Sequence, residues 1–230
     1  MKKKVVIYGY SPLGYKIASI LAKKDFDILI VDFDERNIKK ASYDGFETFN
    51  SQLLKDSELE DIGIKEKNID SLFCISANEK NNLFVVLSAR NLNHSLKIIA
   101  IAKDNIESEK ILLAGATKVL NPNKIGAARI FRHLTKPRIL NVLDAILLGH
   151  VNLDIEEIHI NKSSLFLGLD LETFKAHEEF NLVLLGVMSK AKESRFIFNI
   201  KTIKYKFEKS DVLVVIGDRN NIKNFNEKFA

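Results

Sequence analysis

The stretch Gly9-Tyr10-Ser11-Pro12-Leu13-Gly14 (GYSPLG) decides the fold. A short β-branched run at residues 5–7 precedes it. Leu13, Ile17, Ile20 and Leu21 follow at three- and four-residue spacing. That order reads as strand, tight turn, helix. Two glycines five positions apart let a backbone pass close to a neighbour or a ligand, and the helix start presents N–H groups that favour an anion. Ser11 stands where the usual G-x-G-x-x-G has its middle glycine, and a side chain there narrows the space for a phosphate. Pro12 lacks an N–H, but at a first helical position that donor would have no partner in the helix. A phosphate site and a purely structural strand-to-helix turn both remain open at this point.

Further apolar runs lie at residues 28–31, 72–75 and 98–101, with weaker ones at 46–49 and 118–120. Helical patterns alternate with them, one carrying Leu83, Val86, Leu87 and Arg90. Strands apolar on both faces and alternating with helices argue for a parallel sheet covered on both sides. Right-handed crossovers then make it a doubly wound α/β fold. Asp34 suits an N-cap, and Gly45 and Gly115 suit helix stops. Asp32 closes the second strand eighteen residues after Gly14, close to where a dinucleotide fold places its ribose-binding acid.

The pattern changes after residue 122. Residues 123–134 and 137–148 read as two helices broken at Pro137, which cannot continue the first. The second helix carries Ile139, Leu140, Val142, Leu143, Ile146 and Leu147, too much apolar surface for one exposed stripe. It calls for cover by a second subunit or the following domain. Strand patterns then dominate at residues 155–160, 182–188, 196–200 and 212–216, with short helices expected near 171–176 and 221–228. The expected organisation is a sheet lobe at 1–122, a helical crossover at 123–150, and a smaller α+β domain at 151–230.

Composition fits an ordinary soluble domain, with 46% hydrophobic and 28% charged residues. No apolar run approaches the roughly 18 residues of a membrane span. One cysteine, Cys74, gives no disulfide frame, which points to a cytoplasmic location. It reads as a small buried hydrophobe. The net charge of +5 comes from lysines scattered among acids, so nucleic acid is not an expected partner. His94, His133, His150, His159 and His177 lack metal-ligand spacing. Asp154, Glu156 and Glu157 offer too few oxygens in one stretch for calcium and read as solvated charges. Arg90, Arg129 and Arg132 read as surface residues. No nucleophile elbow or Ser-His-Asp order is present, and no catalytic residue is nominated.

With these segments in hand, the chain resembles the RCK (regulator of potassium conductance) family, also called TrkA or KTN. YGYSPLG resembles its first-strand turn and IVDFDE its second-strand end. NEKNNLFVVLSAR resembles its fourth helix, and KIIAIAKDNIESEKILLAGATKVLNP its fifth strand, helix and sixth strand. SSLFLGLDL, NLVLLGVMS and KSDVLVVIGDRNNIKNF, with Asp211 and Gly217, resemble its C-terminal lobe. The resemblance implies a Rossmann-like lobe that binds ADP, ATP or NAD(H), a crossover exchanged between two subunits, and a C-terminal regulatory lobe. It further implies homodimers, octameric rings, and a membrane-embedded potassium channel or transporter pore as partner at the inner face of the cell membrane. The implied nucleotide-binding residues are Gly9, Tyr10, Ser11, Pro12, Leu13 and Gly14, then Asp32 and Phe33, Ser51 and Gln52, Ser76, Ala77 and Asn78, Asn82, and Lys103.

Four departures cluster at that site. Besides Ser11, Gln52 replaces a carboxylate, Ile101 stands at an arginine position, and Asn123 replaces a glutamate. Together they remove charges that hold a nucleotide. Lys103 could replace the arginine from two residues on if both share a strand face. The expected function is regulatory control of potassium transport rather than enzymatic. An NAD(P)-dependent oxidoreductase and a scaffold that has lost its nucleotide are the rival readings. Met1 just before the first strand suits a stand-alone subunit and equally an internal start.

Overall fold

The computed structural model describes residues 3–24, 26–53, 55–65, 69–147, 151–160, 167–170, 180–189, 195–198 and 204–229. The chain divides into two compact units, residues 1–131 and 132–230.

In the first unit, strands and helices alternate: β1 (Lys4–Tyr8), α1 (Pro12–Ala22), β2 (Asp27–Asp32), α2 (Glu35–Tyr43), β3 (Glu47–Asn50) and α3 (Asp56–Asp61). They continue with β4 (Ile69–Cys74), α4 (Glu79–Leu92), β5 (Lys97–Ile101), α5 (Asn105–Leu113) and β6 (Lys118–Leu120), followed by α6 (Pro122–Thr135), whose last four residues count with the second unit. The strands form one parallel sheet in the order β3-β2-β1-β4-β5-β6. This is the doubly wound order, and its direction reverses between β1 and β4.

Period-two alternation sorts the core. Val5, Ile7, Ile28 and Ile30 pack on one face with Ala18 of α1 and Ala41 of α2. Val6, Tyr8, Leu29 and Val31 pack on the other with Leu59 of α3, Val85 and Val86 of α4 and Ile111 of α5. Each large apolar side chain buried this way contributes about 1.5–3 kcal/mol.

The expected stops are present. Asp34 caps α2 by accepting from Arg36 N–H at 2.9 Å. Gly45 and Gly115 follow α2 and α5 with φ of 88° and 106°.

In the second unit, α7 (Pro137–Leu147) packs against β7 (Leu153–His159). The antiparallel sheet runs β7-β10-β8-β9, with β8 at Val183–Ser189, β9 at Arg195–Phe198 and β10 at Val212–Asp218. Helix α8 (Arg219–Phe229) closes the described chain and supplies Ile222 and Phe225 to a separate core. The helix expected near 171–176, and His150 and His177, lie outside the described residues.

Only Lys136 separates α6 from α7, as the break at Pro137 requires. Their apolar side chains are largely uncovered. Ile125, Ile130, Phe131 and Leu134 of α6 are exposed, as are Ile139, Val142 and Leu147 of α7, while Leu140 and Ile146 are buried. Among the described residues, no helix is long and apolar enough to cross a membrane.

Candidate functional site

Because the sheet is parallel, the loops after β1 to β5 open on one edge, and the crevice lies where the strand order reverses. The site residues expected from the sequence lie on these loops, in the first turns of α1 (Pro12, Leu13 and Gly14) and α4 (Asn82), or, for Asp32, at the last residue of β2. They play different parts.

The glycine turn is a packing device. Gly9 has φ of 107°, and a Cβ there would stand 2.6 Å from the backbone of Ser76. A Cβ on Gly14 would stand 2.2 Å from the Gly9 carbonyl oxygen. The turn therefore presses β1 against the loop after β4. Ser11 is the N-cap of α1, with extended backbone, and its Oγ faces Gly14 N–H at 3.5 Å. Pro12 takes the first helical position. Capping by Ser11 and the missing N–H of Pro12 leave the helix start fewer free donors than an all-glycine turn would offer.

Asp32 faces inward rather than standing free at the strand end. Its Oδ2 accepts Tyr10 N–H at 2.6 Å and Asn37 Nδ2 at 3.0 Å, and its Oδ1 accepts Asp34 N–H at 2.9 Å. It is 4% exposed. The carboxylate thus ties the turn to α2. Phe33 beside it is exposed, and Asp34 pairs with the exposed Arg36 at 2.7 Å. Bonds from Arg36 hold the Asp34 carboxyl below its ordinary range.

Asn82 is fully buried. Its Oδ1 accepts Ser76 N–H at 3.1 Å and its Nδ2 donates to the Ser76 carbonyl at 2.8 Å. This amide clamps the loop after β4, whose next residues are the exposed Ala77 and Asn78, the cap of α4. Ser51 is buried and accepts Leu53 N–H at 2.8 Å, while Gln52 is exposed.

Lys103 lies past the end of β5, so it shares no strand face with Ile101, contrary to the expectation from alternation. The two nonetheless line one cavity of about 150 Å³, together with Ser76, Ala77, Pro122 and Asn123. Two of the four departures, Ile101 and Asn123, thus meet Lys103, the expected substitute, at the carboxyl ends of β4 to β6. A larger cavity of about 360 Å³ opens at the amino ends of β1 to β3, away from these residues.

Arg90 is not a plain surface residue. Its guanidinium donates to the carbonyls of Gly115 at 2.8 Å, Asn93 at 3.1 Å and His94 at 2.7 Å, joining the end of α4 to the turn before β6. Cys74 is buried, and burial pushes its thiol pKa up. In the second unit, Asp211 accepts the Tyr205 hydroxyl at 2.7 Å and Glu208 N–H at 2.8 Å. Burial, opposed by Ser189 and aided by Asp211, pushes the Tyr205 phenol up to about 12, so it stays a donor. Asp154 pairs with Arg219 at 3.3 Å. Among the described residues, no three His, Cys, Asp or Glu side chains gather to hold a metal.

The TrkA-N domain family matches residues 5–122, all of the parallel sheet but Lys4, and its glycine turn. This chain belongs to the TrkA-N domain family. The TrkA-N chain is 23% identical over 231 residues to "Probable potassium channel protein 2" of Methanocaldococcus jannaschii, covering 97% of this chain and 66% of the relative. It is 24% identical over 162 residues to "Trk system potassium uptake protein TrkA homolog" of Methanothermobacter thermautotrophicus, covering 69% and 71%. Among solved structures, "GsuK channel bound to NAD" shares its fold with a TM-score of 0.52 and 15% identity, covering 98% of the TrkA-N chain and 38% of that chain. The chain thus spans under two thirds of the length of both channel proteins.

Proposed function

We propose that the chain is a regulatory domain that controls a potassium channel or potassium uptake system in response to a nucleotide bound at the β1–β4 crevice. The observation that carries this reading is the match of the TrkA-N family to residues 5–122, which includes the turn and every strand of the crevice. Relatives named as a potassium channel and as a potassium uptake protein support the transport role. The nucleotide is ADP, ATP or NAD(H); a structure of the same fold carries NAD in its name. The chain itself performs no chemistry and works at the inner face of the cell membrane beside a pore.

The lobes are residues 1–122, a crossover at 123–150 and a regulatory lobe at 151–230. Two copies cover each other's exposed apolar residues on α6 and α7, making a homodimer from which octameric rings can be assembled. Control requires that the nucleotide bind two ring shapes with different affinity.

The test is a thermal melt of the purified chain alone and with ADP, ATP, NAD+ or NADH at about 1 mM. A nucleotide at 100 times its dissociation constant adds about 2.7 kcal/mol, a rise of about 2–4 °C for this size. No rise with any of the four overturns nucleotide control. Potassium flux into cells lacking the chain should lose its nucleotide response, and an unchanged response overturns the transport role.

A further inference from the structure

Tyr10 stands inside the glycine turn yet is 3% exposed. Its main chain is fixed by the bond from its N–H to Asp32 Oδ2. Its side chain enters the cluster on the α1 and α2 face, where the ring meets Tyr15 and Phe46 edge-on at 6.2 and 6.1 Å. Its hydroxyl donates to Asp44 Oδ2 at 2.8 Å, across 34 residues, at the residue that ends α2. Burial and the Asp44 carboxylate hold the phenol pKa well above its ordinary value, so it remains a donor at every working pH.

The glycines hold the turn by close packing and Gly9 N–H donates to the Val31 carbonyl at 2.8 Å, but side-chain anchors within the turn are few: Pro12 has no N–H, and the Ser11–Gly14 bond is long at 3.5 Å. Any freedom left in the turn would be lost on binding, which weakens it. The Tyr10 side chain reaches outside the turn to a helix end already docked on the sheet.

We propose that the Tyr10–Asp44 hydrogen bond is a positioning link that holds the glycine turn in the backbone geometry a phosphate-bearing ligand needs. The corner between α2 and β3 is thereby part of the nucleotide site, although Asp44 is not in the crevice. The inference rests on the nucleotide reading above. The link also orders the turn before any ligand binds.

Asp44 is exposed, so Asp44→Ala removes the acceptor without opening the core. Wild type, Asp44→Ala, Asp44→Asn, Tyr10→Phe and the Tyr10→Phe/Asp44→Ala pair would be compared by amide hydrogen exchange across residues 8–15. Their affinities for ADP and NAD+ would be measured by calorimetry. In Asp44→Ala and Tyr10→Phe the turn amides should exchange faster in the absence of nucleotide. Each should bind the preferred nucleotide about three- to tenfold more weakly, the size of one hydrogen bond, with the pair no weaker than either alone. Asp44→Asn keeps an acceptor oxygen and should restore both readings most of the way to wild type.

Unchanged exchange in Asp44→Ala and Tyr10→Phe overturns the link, as does a double variant whose losses add. If wild type binds neither nucleotide, the reading of the crevice fails, while the exchange comparison alone still decides the link. Should Tyr10→Phe fail to fold, the Asp44 pair carries the same decision.

Discussion

The two sides of the crevice are built differently. On the side of β1 and β2, the polar groups are bound to one another. Asp32 holds Tyr10, Asp34 and Asn37, and the Asn82 amide holds both backbone groups of Ser76 at the switch point. On the side of β5 and β6, Ile101, Lys103 and Asn123 border a small cavity, and Lys103 and Asn123 are exposed. The wired side carries folding as well as any binding. The open side has fewer such bonds, chiefly that from Asn121 Nδ2 to the Lys103 carbonyl, so its exposed side chains can change at smaller cost to the sheet.

The comparison breaks first at Gly9. We predict that Gly9→Ala destabilises the first unit by more than about 4 kcal/mol, because the new methyl meets backbone at 2.6 Å and φ is 107°. Thermal melts would show it as failure to fold or as a large fall in midpoint. A midpoint close to wild type would mean that the switch point is loosely packed.

Asn82→Ala is the next largest. It leaves the buried N–H and C=O of Ser76 unpartnered, at a cost of about 2–4 kcal/mol in denaturant unfolding. A loss below about 0.5 kcal/mol would show that the loop finds other partners.

On the open side, Ile101→Arg should lower the unfolding midpoint by a few degrees, because Ile101 is half-buried against the core. It should tighten ADP binding about tenfold by a charge-assisted contact. Equal or weaker binding by calorimetry would remove residue 101 from the phosphate's surroundings. The smallest effect belongs to Ser11→Gly, a few tenths of a kcal/mol in stability for exchanging one N-cap for another. A loss near 2 kcal/mol would show that Ser11 does more than cap α1.

The strands of the parallel sheet and most helix limits are legible in the sequence because burial on both faces writes unbroken apolar runs, and because Asp34, Gly45 and Gly115 act locally. The roles at the site are less legible. IVDFDE alone does not reveal that Asp32 turns inward, since two of its three donors, Tyr10 and Asn37, come from other segments. Alternation misplaced Lys103 because β5 stops at Ile101. Arg90 carried half a signal, a cation in the last turn of a helix whose closing carbonyls need donors. Its bond to Gly115 is non-local and could not be read from spacing. The link from Tyr10 to Asp44 is hidden for the same reason.

The close fit of Gly9 against Ser76 has a consequence for descent. Selection on folding alone would keep both glycines of GYSPLG in a lineage whose crevice had long stood empty, since any side chain at either position collides with backbone. An exposed side chain beside the cavity, such as that at 123, would drift first. Across relatives of this chain, the history of nucleotide use is therefore recorded beside β5 and β6, while the glycines record the history of the sheet.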